Sequence, residues 1–187
     1  MWRVLMDHFR RYPAQERVVR LMIHDGLRIH EGAVFAGDVE IADTAIARAA
    51  DVDRRIVRAT VETIAANPQL ERAFSRFQPT LHLKDVAPAM GLGVIEIVAQ
   101  NPHQAGILAG VSNLITQSGL TIRQAIVEDP EFVDDPVLFV VTDSAIPGVL
   151  IPRLQAVRGV KSVTVRSVEH TEPEPPKGKR ASRSTSK

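Results

Sequence analysis

From Asp53 to Arg58 the chain reads Asp-Arg-Arg-Ile-Val-Arg, so Arg54, Arg55 and Arg58 follow directly on a carboxylate suited to open a helix. Residues 54 to 76 hold five arginines against Glu62 and Glu71, a local charge of +3. Such a basic stretch is compatible with phosphate contacts, although on its own it is more often a solvated helix face. A second group runs from Gln100 to Ile107. It precedes a helical stretch, whose free N–H groups favour an anion such as a carboxylate. Ala105 and Gly106 leave the backbone open to close approach, and Asn101 and His103 can read an ammonium or a side chain, with Gln104 and Ile107 beside them. The same residues also make an ordinary polar turn. A third group, Glu128, Asp129, Glu131, Asp134 and Asp135, gathers carboxylates around two prolines. A hard cation could use them, but no glycine-bearing calcium loop accompanies them, so they read as a solvated connection and no metal is expected.

Other chemistries find no support. There is no cysteine, which removes disulfides, thiolate metal sites and thiol catalysis, and suits a reducing compartment. The six histidines show neither a His-x-x-His nor a His-x-x-x-His pairing. No Gly-x-Ser-x-Gly elbow, P-loop or dinucleotide fingerprint occurs, so neither an enzyme nor a bound cofactor is expected. Charge interrupts the first ten residues too often for a signal peptide, and no segment approaches the ~18–20 apolar residues of a membrane helix. These features predict a soluble cytoplasmic protein.

The elements that must position these groups fall into two halves. Residues 94 to 168 repeat one pattern: an apolar strand from Val94, a loop ending at Gly106, a helix to Gly119 and a strand from Leu120, then the same from Val137 through Gly148 and Gly159 to Val168. That is a βαββαβ unit with right-handed crossovers, a ferredoxin-like sandwich. The second loop, Asp143 to Gly148, mirrors the first but carries Ile146 and Pro147, and is expected to stay empty of ligand.

The first half is mostly helical. Trp2, Leu5, Met6 and Phe9 predict a short amphipathic helix over residues 1 to 11, and Pro13 opens a second that Gly26 stops. Alternation around Ala33 to Ala36 suggests a short β-ribbon, of the kind that can form a wing. Asp43 or Thr44 can then cap a helix with Ala45, Ile46, Ala49 and Ala50 inward. Asp53 caps the next, with Ile56, Val57, Val61 and Ile64 inward. Ala47 is small enough to let two helices approach steeply, Val52 plugs their junction and Val57 anchors the second helix. Written this way, the stretch resembles the helix-turn-helix of bacterial and archaeal transcription regulators, although a structural helical hairpin has the same outline. The resemblance implies that Asp51 occupies a turn position with positive φ, and that Thr44, Asp53, Arg54, Arg55 and Arg58 lie toward DNA.

The βαββαβ order, with loops ending Gln104-Ala105-Gly106-Ile107 and Ile146-Pro147-Gly148-Val149, resembles the ACT domain, a module that binds amino acids. Together with the first half, and with the phrases from Asp51 to Val61 and from Asp85 to Gly91, the chain is similar to archaeal regulators of amino-acid metabolism containing an ACT domain. The fold class implied is α+β: a helix-turn-helix domain over 1–80, a linker over 81–93, an ACT-like domain over 94–170 and a basic disordered tail over 171–187. The function implied is ligand-responsive transcriptional regulation by a homodimer joined through its ACT domains. The amino acid is expected at Asn101, His103, Gln104, Ala105, Gly106 and Ile107, with Thr121 and Gln124 contributed by the neighbouring subunit. The alternative is a regulatory partner of an amino-acid biosynthetic enzyme that binds no DNA.

Overall fold

A computed structural model describes residues 2–166, with side chains from residue 5 onward. The tail over 171–187 and the side chain of Trp2 lie outside the described residues. The chain forms two compact units that divide between Leu81 and His82.

The first unit runs α1 (Trp2–Asp7), α2 (Pro13–His24), β1 (Arg28–His30), β2 (Ala33–Ala36), β3 (Val39–Ile41), α3 (Asp43–Ala49), α4 (Arg54–Ala65) and α5 (Pro68–Phe74). Helix α1 is shorter than its apolar spacing predicts. The next residues tighten into turns, with Phe9 N–H donating to Met6 O and Tyr12 N–H to Phe9 O, before Pro13 pushes Tyr12 out of the helical region. Phe9 is nevertheless fully buried, beside Val18, Val19 and Met22 of α2. Helix α2 ends where Gly26 takes φ 64°, and Leu27 N–H donates to Met22 O across 2.8 Å. Only glycine fits there, because a Cβ would lie 2.3 Å from the backbone oxygen of Gln78.

The expected ribbon is a three-stranded antiparallel meander in the order β1-β2-β3. Its first turn, Glu31-Gly32, has φ 49° and 77°, the signature of a type I′ hairpin. Ile29 and Val34 pair across β1 and β2 and enter the core, while Val39 stays exposed. The meander therefore seals one side of a helical core completed by Ile46, Val57, Val61, Ile64, Leu70 and Phe74.

The second unit contains β4 (Gly93–Ala99), α6 (Ile107–Gln117), β5 (Ile122–Val127), β6 (Val137–Thr142), α7 (Leu150–Gln155) and β7 (Val160–Arg166). The sheet order is β5-β6-β4-β7 with every neighbouring pair antiparallel, the ferredoxin-like arrangement. Alternation along the strands sends Ile95, Ile97, Leu138 and Val140 to one face, where Ile107, Val111 and Ile115 of α6 and Leu150 and Leu154 of α7 cover them.

Val94, Phe139 and Val141 point to the opposite face and are also buried. Their cover is the stretch that reads as a linker in the sequence. Residues 82–92 lie on the sheet as a strap: Ala87, Leu83 and Leu92 pack on Val94 and Val141, and Leu83 N–H donates to Gln124 Oε1 across 2.8 Å. The Lys84 ammonium sits 4.1 Å from the Phe139 ring centroid, and Asp85 pairs with Arg166 at 2.9 Å. Among the described residues no helix is long and apolar enough to cross a membrane.

Candidate nucleic-acid face and ligand pocket

Helices α3 and α4 meet around Ile46, Ala47 and Val57, all buried, with Val52 packed against the same core. The inward stripe of α3 is Ile46, Ala47 and Ala50. Ala45 and Ala49, expected inside, are exposed, because the helix turns its junction side rather than its mid-face to the core. The turn is closed by Val52 N–H donating to Ala47 O at 2.9 Å, with Asp51 at φ 53°. Arg17 on α2 reaches the carbonyls at this turn, its Nε donating to Ala50 O at 3.3 Å and Nη2 to Asp51 O at 3.2 Å. The chain direction between the helices is thus held from both sides.

Asp53 caps α4, its Oδ1 accepting the Arg55 backbone N–H at 2.8 Å and Arg55 Nε at 3.2 Å. The backbone bond from Arg55, then the Arg55 side chain, hold the Asp53 carboxyl below its ordinary range, with smaller help from Arg54. Helix α3 differs from expectation. Ala42 is its N-cap, neither Asp43 nor Thr44 makes a capping bond, and Asp43 sits in the first turn with its carboxylate 3.9 Å from Arg58 Nη1.

Ala42, Asp43, Thr44, Arg54, Arg55 and Arg58 line one open groove. Four of the five residues expected to face DNA therefore converge on one surface, and the fifth, Asp53, orients Arg55 from the N-cap. The Arg55 side chain is 88% exposed and that of Arg58 62%, so both guanidiniums can exchange their weak carboxylate contacts for phosphate or base edges. Glu62, a turn further along α4, is exposed as well and would oppose a phosphate.

In the second unit, Gly106 holds φ 95° at the N-cap of α6. No side chain caps the helix, and its first backbone bond runs from Gly110 N–H to Gly106 O, leaving the amides of residues 107–109 without an intrahelical partner. Beside this terminus lies a cavity of about 150 Å³ walled by Ile97, Ala99, Ile107, Leu108, Val127 and Leu138. An apolar cavity of ~150 Å³ is enough to hold a benzene.

The expected ligand residues divide around it. Gln104, Gly106 and Ile107 line the cavity. Asn101, His103 and Ala105 are exposed and outside its wall, and Asn101 Oδ1 is engaged by the His103 backbone N–H at 3.0 Å. Thr121 lies at the other end of β5, where its N–H donates to the Asp143 carboxylate at 3.1 Å, and Gln124 is held by the strap. Within one chain, neither meets the pocket.

Glu128 is the residue that sequence reasoning missed. It closes the β5–β6 connection, its N–H donating to Val137 O and its Oε2 accepting Val137 N–H, both at 3.1 Å, and it lines the cavity. The antiparallel pairing of Val127 with Leu138 brings it there, a register invisible in an acidic run. Asp129, its neighbour, accepts the Glu131 N–H at 2.9 Å. Among the described residues no group of three or more His, Asp or Glu is placed to hold a metal ion. In the mirrored loop, Ile146 packs on the helix-face core.

No family model and no curated protein matches the chain. The solved structures similar to it include the following two. An AsnC family transcriptional regulator from Agrobacterium tumefaciens is 12% identical, with 87% of this chain and 95% of that one covered at a TM-score of 0.25. MtbAldR is 15% identical, with 87% and 98% covered at a TM-score of 0.27. At these TM-scores neither likeness bears on function, which must rest on the residues of this chain.

Proposed function

We propose that the chain is a ligand-responsive transcriptional regulator of amino-acid metabolism, binding DNA through α3 and α4 and an amino acid beside α6. The observation that carries the reading is the groove in which Thr44, Arg54, Arg55 and Arg58 converge next to a turn held by Asp51 at positive φ. A tight turn between two short helices, with exposed guanidiniums on the first turns of the second, suits insertion of α4 into a major groove. The sequence resemblance to regulators with an ACT domain supports the same reading. So does the cavity at the uncapped start of α6, where an α-carboxylate can accept the free amides. Two copies joined through their second units would present two α4 helices to successive half-sites. The reading assigns no catalytic step.

The test is selection of binding sequences from random duplex DNA, followed by titration at several salt concentrations. Recovery of a two-fold-related motif with steep salt dependence is expected. Capture of an amino-acid biosynthetic enzyme without any DNA affinity would favour the regulatory-partner alternative.

A further inference from the structure

Resting on that reading, we infer that the cavity beside α6 selects an amino acid with an uncharged aliphatic side chain, and that Glu128 is the group that receives its ammonium.

The wall that would surround a side chain is hydrocarbon: Ile97, Ala99, Ile107 and Leu138. A carboxylate placed among these groups would lose its hydration with no cation in return, and Glu128, the one carboxylate of the wall, does not serve a guanidinium and the ligand's own ammonium together. A volume of about 150 Å³ admits a branched aliphatic group. Carboxylate-bearing and guanidinium-bearing amino acids are thereby disfavoured.

Among the described residues, Glu128 is the one acidic side chain in the wall. Its Oε2 accepts the Val137 N–H, which holds the carboxylate in place and leaves Oε1 to receive a ligand. An ammonium meeting that oxygen gains a charge-assisted hydrogen bond from a group already oriented, so little ordering opposes it. Asn101 and His103, the residues a reading of the loop would choose, do not line the cavity. The two charges of a zwitterion thus find complements on different elements, the ammonium at the end of β5 and the carboxylate at the start of α6.

The test is titration calorimetry of the full chain with leucine, valine, methionine, aspartate, arginine and 4-methylpentanoate, the des-amino analogue of leucine. The variants are Glu128→Gln, whose amide oxygen still accepts the Val137 N–H, and Ala99→Leu, which fills the cavity and is expected to abolish leucine binding. The aliphatic amino acids are expected to bind, and the analogue, aspartate and arginine to bind at least tenfold more weakly. Glu128→Gln is expected to weaken leucine ~10- to 100-fold, the scale of one charged hydrogen bond. Unchanged leucine affinity in Glu128→Gln, or a preference for aspartate or arginine, would overturn the assignment while leaving an amino-acid sensor standing. If no amino acid binds, the sensor reading fails and this inference with it.

Discussion

The Val52 N–H donates to the Ala47 carbonyl across 2.9 Å, closing a six-residue turn at the C-terminus of α3 that can form only if Asp51 enters the left-handed region, where it has φ 53°. That bond fixes the direction in which α4 leaves and hence the surface on which its arginines lie. Asp tolerates the left-handed region better than most residues, but less well than glycine.

Asp51→Gly should therefore be neutral or slightly stabilising, by up to ~1 kcal/mol, and Asp51→Val should destabilise by ~1–2 kcal/mol. Thermal unfolding of the two variants checks the order. If valine is tolerated as well as glycine, the turn does not have this geometry.

Asp53 supplies a pH signature. Its folded pKa is depressed below the ordinary 3.8, so its contribution to stability is fully present above that value and is lost as pH falls through the lower folded pKa. Asp53→Asn retains a capping oxygen but does not titrate. Below about pH 3.8 the wild type should lose stability faster than the variant, while near neutral pH the two should keep a constant difference. Parallel acid-unfolding curves would contradict the assigned cap.

The arginines of the groove should act mainly through phosphate. Each of Arg54→Ala, Arg55→Ala and Arg58→Ala is expected to lower the salt slope of DNA binding by ~0.9 for every phosphate left without its cation. Fluorescence anisotropy across a series of salt concentrations measures it. A slope unmoved by all three substitutions would place the DNA interface elsewhere.

The strap over the sheet should behave as folded structure. Leu83 N–H, bonded to Gln124, should resist hydrogen exchange, and Ala87→Lys should abolish that protection by forcing a charge against Val94 and Val141. Core truncation gives the reference scale: Phe74→Ala, at a fully buried site in the first unit, should destabilise by ~3–5 kcal/mol. Rapid exchange at Leu83 in the unmodified chain would contradict the docked strap.

What could be read in advance follows from which interactions are local. The βαββαβ order and the cap at Asp53 were legible because each is written in contiguous spacing or in a single N-cap residue. Asp51 was legible from the resemblance of its turn to helix-turn-helix sequences. The strap was not, since Pro88 and Gly91 within it, and Pro79 and Gly93 on either side, punctuate the sequence. Leu83, Ala87 and Leu92 have no period of their own and become apolar cover only when a sheet face is present to receive them. Glu128 was hidden for a related reason: its place at the cavity depends on the pairing of β5 with β6, whereas in the chain it is one carboxylate among five. The caps expected for α3 failed because Asp43 and Thr44 entered the helix one and two residues past Ala42, a boundary shift within the ordinary fraying of helix ends.

The most direct test of the account is to titrate the selected duplex with the protein in the absence and presence of a saturating aliphatic amino acid, with occupancy of the protein confirmed calorimetrically. A coupling of ~1–3 kcal/mol, read as a change of about 5- to 150-fold in DNA affinity, is expected. Identical affinity with the effector fully bound would contradict a ligand-responsive regulator.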